Sequence, residues 1–243
     1  MSAERSSLEV LRAPTPGPVL VLAPHPDDEV VGCGGTLALH AAQGDAIRVV
    51  VVFDGAAADA AAGAGPGSER EHYVARRESE SRAAARILAG DREPIALEFW
   101  RLPEGHEPAS GELQSGAAAL RTLLESYRPR TVYLPWPGDA HGDHRSVAKA
   151  AGQALGELSF EVQAWGYEVW SALTPERVID VTSVVDRKRR ALAVHLTQDY
   201  DGRLAHRALG LAAWRSSCLE NGGRYAEAFA ALAFAERECG EAA

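Results

Sequence analysis

The sequence predicts an α/β protein in which helices cover both faces of a mostly parallel sheet. Two continuous apolar runs, VLVLA at 19–23 and IRVVVVF at 47–53, are typical of strands that are buried on both faces. A helical segment at 34–43 separates them and ends at Gly44, which makes a βαβ unit. Strand-like and helix-like segments alternate beyond it, so we expect a Rossmann-like, doubly wound sheet with its active site at the carboxyl ends of the strands.

The remaining elements follow in chain order. Further strands are predicted at 95–100, 131–136, within 161–173 and at 177–182. Further helices are predicted at 69–89, 113–127, after the 137–145 loop to 154, at 184–196 and through the alanine-rich segment at 203–238. Residues 55–68 are small or polar and are expected to form a loop close to the strand ends. We expect one domain over 1–243, with a flexible, Pro-rich leader at 1–17.

The composition restricts the class of function. A net charge of −9 without a basic stripe predicts that the protein binds neither nucleic acid nor an anionic membrane surface. No apolar run is long enough for a membrane helix and no signal peptide is evident, so we expect a cytoplasmic protein. Cys33, Cys218 and Cys239 are odd in number and far apart, which fits reduced thiols. Any metal would therefore be held mainly by His and carboxylates, and a homo-oligomer remains an open possibility.

Two polar loops each follow a predicted buried strand. They are APHPDDE, which contains His25 and Asp28, and PGDAHGDH, which contains His144. Because the carboxyl ends of parallel strands meet at one edge of a sheet, we expect these loops to lie together. Two imidazoles and a carboxylate form a common catalytic zinc set, and His25, Asp28 and His144 supply one.

Simpler interpretations exist for each motif alone. A Pro-Asp-Asp-Glu turn is often solvated or caps a helix, and a His-x-Asp-His loop can be a hydrogen-bonded turn. GCGGT at 32–36, with Asp54 downstream, also suggests a dinucleotide fingerprint. However, the third glycine position holds Leu37, and charged residues occupy the loop that would bind pyrophosphate. We therefore expect these glycines to permit close helix packing instead.

The motifs resemble those of a known family. PHPDDE followed by GCGGTL, and HGDH after a later strand, are similar to the signatures of the LmbE-like (PIG-L) superfamily of zinc-dependent N-acetylglucosaminyl deacetylases. RKRRALAVHLTQ at 187–198 resembles a third feature, a basic helix ending in H-x-S/T-Q. The resemblance spans roughly residues 18–200. It implies hydrolytic N-deacetylation of a small amino-sugar conjugate of the N-acetylglucosamine type, in which metal-activated water attacks the amide carbonyl.

The resemblance also implies roles for individual residues. Zn²⁺, or another divalent metal, would be held by His25, Asp28 and His144. Asp27 would act as the general base, next to a ligand but pointing away from it. His141, oriented and kept protonated by Asp143, would donate a hydrogen bond to the oxyanion.

Substrate contacts are implied for Arg77, in an R-x-x-E pattern with Glu80, and for Glu104. A surface ion pair is the simpler interpretation of Arg77 and Glu80. Asp139 replaces an aromatic residue of some relatives. Glu29 could orient His25 or cap the following helix, and we expect the structural role. Two other activities stay open: cleavage of a bulkier acyl group or thiol conjugate from the same kind of sugar, and zinc-containing sugar binding without turnover. The role of the aromatic segment at 165–170 also stays open.

Overall fold

The computed structural model of the chain describes residues 8–58, 67–104, 110–199, 202–220 and 222–233. Its strands are β1 (Glu9–Leu11), β2 (Val19–Ala23), β3 (Ile47–Phe53), β4 (Ala96–Leu102), β5 (Thr131–Pro135), β6 (Gln163–Tyr167), β7 (Arg177–Asp180) and β8 (Ala226–Ala231). Its helices are α1 (Asp28–Gln43), α2 (Ser68–Ala89), α3 (Ser110–Tyr127), α4 (Gly142–Gly156), α5 (Val185–Ala193) and α6 (Arg203–Arg215). None of these helices combines the length and apolarity needed to cross a membrane.

The described strands form one mostly parallel sheet, which confirms the predicted fold class. Their order is β1-β7-β8-β6-β5-β2-β3-β4, and only β8 runs antiparallel to its neighbours. Strand β2 lies between β3 and β5, and the chain leaves it for β3 and β4 on one side and for β5 and β6 on the other. The carboxyl end of β2 is therefore a topological switch point, where open α/β sheets bind their ligands.

Helices pack on both faces of the sheet, which explains why the sequence of β2 is continuously apolar. Val19 and Val21 point into a core shared with Leu37 of α1, whereas Leu20 and Leu22 point into a second core. The first core also receives buried residues of α2, α5 and α6, and the second receives residues of α3 and α4. Since successive strand residues face opposite sides, two covered faces require apolar residues at every position.

The carboxyl-terminal part of the chain differs from the predicted long helix. Helix α6 ends at Arg215, and residues 226–231 form β8 between β6 and β7. The prediction followed the high helix propensity of alanine. Here, five consecutive β8 residues are buried: Phe229 packs into the first core, and Ala226, Ala228 and Ala230 form a separate cluster with Leu173 and Val178. Tertiary packing therefore overrides local propensity in this segment.

Two further segments differ from the sequence-based expectation near the amino end. Residues 9–11 of the expected flexible leader form β1, which pairs in parallel with β7. Helix α1 begins at Asp28 rather than at 34 and is interrupted at Cys33. Its glycines do permit close packing, because a Cβ on Gly32 would lie 2.2 Å from Tyr167 and one on Gly35 would lie 2.7 Å from Val181.

Candidate active site

The two polar loops meet at the carboxyl edge of the sheet, as expected. The first connects β2 to α1, and the second connects β5 to α4. Because β2 and β5 are paired in parallel, their following loops are neighbours. His141 is the residue before the first turn of α4, and its ring accepts a hydrogen bond from the backbone N–H of Asp143. His144 then lies in the first turn of that helix.

His25, Asp28 and His144 form a compact, buried group. Asp28 Oδ2 lies 3.1 Å from His25 Nδ1 and 3.1 Å from His144 Nε2. One ligand atom from each of the three residues lies within 4.8 Å of the others. His144 is completely buried, yet neither of its ring nitrogens has a hydrogen bond of good geometry within the described chain. Because buried polar atoms are normally paired, this donor set fits a divalent metal ion.

The electrostatics of Asp28 are those of a permanently ionised ligand. Burial acts to raise the pKa of its carboxyl group, but His144 and His25 outweigh this effect and hold that pKa well below its usual range. A second group with suitable spacing contains His25, His141 and Asp143, so His25 is shared by both groups.

Asp27 stands beside the metal-binding group but is held by different partners. Its Oδ1 atom lies 3.4 Å from Nη2 of Arg77. Burial raises the pKa of the Asp27 carboxyl group to about 7, while the Arg77 guanidinium acts to lower it. The backbone of Asp27 has φ +147°, a conformation that is strained for a residue with a side chain. Glu29 stabilises this turn by accepting a hydrogen bond from the Asp27 N–H at 3.3 Å.

Arg77 comes from α2 and is buried, which excludes the surface pair considered from the sequence. Its Nη1 donates to the carbonyl of Gly55 at 2.7 Å, and its Nη2 donates to the carbonyl of Pro26 at 3.0 Å. Glu80 does not pair with it in the expected way but accepts a hydrogen bond from the Thr197 hydroxyl at 2.5 Å. The guanidinium therefore joins the β2 and β3 loops, although Arg77 also lines the cavity described below.

Glu104 and Asp143 both approach the second ring nitrogen of His25. Oε2 of Glu104 and Oδ2 of Asp143 each lie 3.1 Å from His25 Nε2. Asp143 Oδ2 is farther from His141 Nδ1, at 4.0 Å. These carboxylates and Asp28 outweigh the effect of burial and hold the pKa of His25 well above its usual range.

The structure does not support the expectation that contact with Asp143 keeps His141 protonated. Burial lowers the pKa of His141, the charges of His25 and His144 lower it further, and Asp143 opposes them only in part. Nδ1 of His141 accepts the Asp143 N–H, so a neutral ring carries its proton on Nε2. His141 can therefore still donate a hydrogen bond from Nε2 without being a cation.

Asp139 is a site residue whose role the sequence did not reveal. It is almost completely buried, and its Oδ1 accepts the backbone N–H of His141 at 2.9 Å and lies 3.6 Å from His144 Nδ1. Its Oδ2 accepts the backbone N–H of Trp170 at 3.0 Å. The Asp139 carboxylate thus connects the loop between β5 and α4 to the segment after β6. Its position two residues before His141 was visible in the sequence, but its contact with Trp170 depends on tertiary structure.

Two residues of the 187–198 motif, His195 and Gln198, lie close to these groups. His195 is fully buried, and its ring nitrogens have no hydrogen-bond partner among the described residues; burial, followed by the Arg77 charge, lowers its pKa to about 3. Gln198 lines the cavity and donates to the Tyr73 hydroxyl at 3.0 Å. Neither residue belongs to the candidate metal-binding groups.

A cavity of about 630 Å³ opens beside these groups. His25, Asp27, Asp28, Arg77, Glu104, His141 and Asp143 line part of it. Another part is apolar and is formed by α6 and the segment after β6. A cavity of this size accommodates a small organic molecule.

The sequence and the fold of this chain are similar to those of known proteins. Residues 20–155 match the family model PIG-L, described as GlcNAc-PI de-N-acetylase. The diacetylchitobiose deacetylase of Thermococcus kodakarensis is 27% identical over 199 residues, which cover 74% of this chain and 69% of that protein. A probable N-acetyl-alpha-D-glucosaminyl L-malate deacetylase of Bacillus anthracis is 28% identical over 188 residues, covering 74% and 80%. The solved N,N'-diacetylchitobiose deacetylase of Pyrococcus horikoshii shares the fold, with a TM-score of 0.74 and 22% identity over 88% of this chain and 83% of that one.

Proposed function

Because the chain belongs to the PIG-L family of de-N-acetylases, we propose that it hydrolyses the acetamide of a small N-acetylglucosamine-type conjugate with the aid of Zn²⁺. The observation that carries this proposal is the group formed by His25, Asp28 and His144, with Asp27 beside it. The relatives from Thermococcus kodakarensis and Bacillus anthracis are both named as deacetylases of N-acetylated sugars.

His25, Asp28 and His144 would hold the metal ion. The chemistry supplied by a divalent metal in such a site is acidification of a water molecule and polarisation of the amide carbonyl. Two imidazoles and one carboxylate leave positions open for water and substrate, which distinguishes a catalytic set from a closed structural one.

Asp27 supplies the base for the hydrolysis. Its carboxylate accepts a proton from water as the water oxygen bonds to the amide carbon, and it returns that proton to the nitrogen as the C–N bond breaks. The products are acetate and the free amino sugar. Burial acts to raise the pKa of the Asp27 carboxyl group, which makes it a better proton acceptor, while Arg77 opposes this effect. The strained backbone at residue 27 and the Arg77 contact fix where this carboxylate points.

His141 donates from Nε2 to the negative charge that develops on the amide oxygen. It is half-buried, lines the cavity and is held by the Asp143 N–H at Nδ1. A positioned donor of this kind typically contributes about 3 kcal/mol to lowering the barrier. Asp143 and Glu104, which contact His25, orient that ring, as carboxylates beside ligand imidazoles commonly do.

The test combines metal analysis with a substrate panel. We expect about one divalent metal per chain, release of acetate from N-acetylglucosaminides, and loss of both in Asp28→Asn. Asp27→Asn should keep the metal and lose about 100-fold or more in kcat, because only proton transfer is removed. Metal-free protein with full activity in chelator, or an Asp27→Asn variant at the wild-type rate, would contradict the proposal. Faster release of longer acyl groups than of acetate would favour the bulkier-acyl activity instead.

A further inference from the structure

The cavity has an apolar wall that deacetylation itself does not require. Leu204, Ala208 and Leu211 of α6 line it together with Arg207. The spacing of these residues places them on one face of the helix. Val169 and Trp170, from the segment after β6, complete this wall. An acetyl group and a polar sugar ring would leave most of such a surface without a matching partner.

Trp170 is held in place although its side chain is largely exposed. Its residue exposure is 54%, but its backbone N–H donates to the buried Asp139 at 3.0 Å. Its ring centroid lies 6.1 Å from that of His141, at an interplanar angle of 30°. A fixed, exposed tryptophan next to a donor of the reaction centre is suited to packing against the part of the substrate attached to the sugar.

Arg207 extends this wall with a positive charge. Its guanidinium carbon lies 5.3 Å from the Trp170 ring centroid. Within the part of the chain that the structure describes, no carboxylate pairs with Arg207, whereas Arg77 is engaged by Asp27 and two carbonyl groups. Stacking on an indole leaves the edge donors of a guanidinium free for the oxygens of a carboxylate or phosphate.

The carboxylates that line the cavity and the Arg207 guanidinium come from different parts of the fold. Asp27, Asp28, Glu104 and Asp143 all line the cavity near His25. The carboxylates near His25 have cationic partners in the candidate metal site and in Arg77, whereas Arg207 is available to attract an anionic substrate group. The geometry points to one orientation: the N-acetyl group lies at the carboxylate-rich end, and the anion lies against α6.

We propose that the substrate is an N-acetylglucosaminide whose aglycone has an apolar body that packs on Trp170 and an anionic group that binds Arg207. This inference rests on the proposed deacetylase function and assigns a role to Trp170 of the aromatic segment at 165–170. It makes Arg207 and Trp170 specificity-determining residues. A carboxylate and a phosphate ester share the required chemistry, and the experiment below distinguishes them.

The test uses three N-acetylglucosaminides with aglycones of equal length: 4-carboxyphenyl, 4-phosphophenyl and the neutral 4-carbamoylphenyl. We expect a KM for at least one anionic glycoside that is roughly tenfold below that of the neutral one, with similar kcat, since a hydrogen bond to a charged group contributes about 1.5 kcal/mol or more. Arg207→Ala should abolish this difference. The anion with the lower KM shows whether this site prefers a carboxylate or a phosphate.

Arg203→Ala, which removes a charge one turn earlier on the same helix, is the matched control and should leave the preference intact. Trp170→Leu should raise the KM of all three phenyl glycosides while preserving the anion preference. Equal KM values for the three glycosides in the wild type, or equal losses for all three in Arg207→Ala, would overturn the inference while leaving deacetylation established.

Binding of the three deacetylated products, measured by calorimetry, separates the two proposals. Absence of turnover of any glycoside would remove the proposed function. The anion preference in product binding, and its loss in Arg207→Ala, would still decide the role of Arg207.

Discussion

The Arg77 guanidinium lies 3.4 Å from the carboxylate of Asp27 and donates to the carbonyls of both Pro26 and Gly55. One buried side chain thus fixes the proposed general base, the turn that carries it and the start of the loop after β3. The sequence resemblance implies contact between Arg77 and substrate. The described contacts instead use its Nη1 and Nη2 donors within the protein, and a single substitution separates the two roles.

Arg77→Lys should lower kcat by roughly 10- to 100-fold with little change in KM, because one ammonium group cannot replace a planar fork that holds three oxygen atoms. Metal content should remain at the wild-type value, since Arg77 does not belong to the metal-binding group. Steady-state kinetics and metal analysis check both expectations. A variant with raised KM and unchanged kcat would show that Arg77 binds substrate instead.

Gly55 offers a test of the same contact from the backbone side. A Cβ at this position would lie 2.2 Å from Nη1 of Arg77, and the residue has φ +73°. Gly202 has the same φ, but no described atom lies within 4 Å of its Cβ position. Both Gly→Ala variants should therefore lose about 1–2 kcal/mol of stability from backbone strain.

Only Gly55→Ala should also lose activity, because only there must Arg77 move. The free energy of unfolding and kcat, measured for both variants, provide the comparison. Equal activity of the two variants would show that the position of Arg77 does not limit the reaction.

The sequence predicted most of the fold, and it placed the candidate metal-binding residues close together, because these features depend on local patterns. The runs of β2 and β3 are apolar at every position, and the two polar loops follow paired parallel strands, so His25, Asp28 and His144 could be brought together without coordinates. What the sequence missed depends on contacts between distant segments. The alanine-rich sequence of β8 predicts a helix because helix propensity is a local property. The position of β8 between β6 and β7 depends instead on tertiary structure.

The electrostatics of the site were equally hidden from the sequence. The HGDH pattern suggests that the Asp143 carboxylate keeps His141 protonated. In the folded chain, Asp143 Oδ2 instead lies 3.1 Å from His25 Nε2. The contact of Asp139 with Trp170 joins residues of two loops and has no local signal. Contacts of this kind between distant segments depend on the fold and cannot be derived from the local sequence.

Asp139 should control metal affinity through His144. Asp139→Asn keeps the side-chain shape but removes the charge that lies 3.6 Å from His144 Nδ1. We expect metal affinity to fall roughly 10- to 100-fold, as for other residues that orient a metal ligand. Competition with a chromophoric chelator measures this affinity without relying on activity.

A control for this change is Asp180→Asn, which alters a carboxylate that accepts a backbone hydrogen bond from Thr182 outside the metal-binding group. The control should bind metal as the wild type does. If Asp139→Asn retains wild-type affinity while unfolding more readily, Asp139 only stabilises the loops.

His195 should make the protein sensitive to acid. Burial, followed by the Arg77 charge, lowers the pKa of its folded-state imidazole to about 3 from an ordinary value of 6.5. Between these values the unfolded chain binds a proton that the folded chain excludes, so stability falls as pH falls below 6.5. This single group should cost about 2 kcal/mol at pH 5 relative to neutral pH.

His195→Gln removes the titration but keeps a polar side chain at the same buried position. Urea unfolding at pH 7 and pH 5 should therefore show a smaller loss of stability in the variant than in the wild type, by about 2 kcal/mol. Comparing the two pH values cancels any effect of the substitution that does not depend on protonation. Parallel losses in both proteins would mean that the His195 imidazole gains a proton in the folded state as readily as in the unfolded chain.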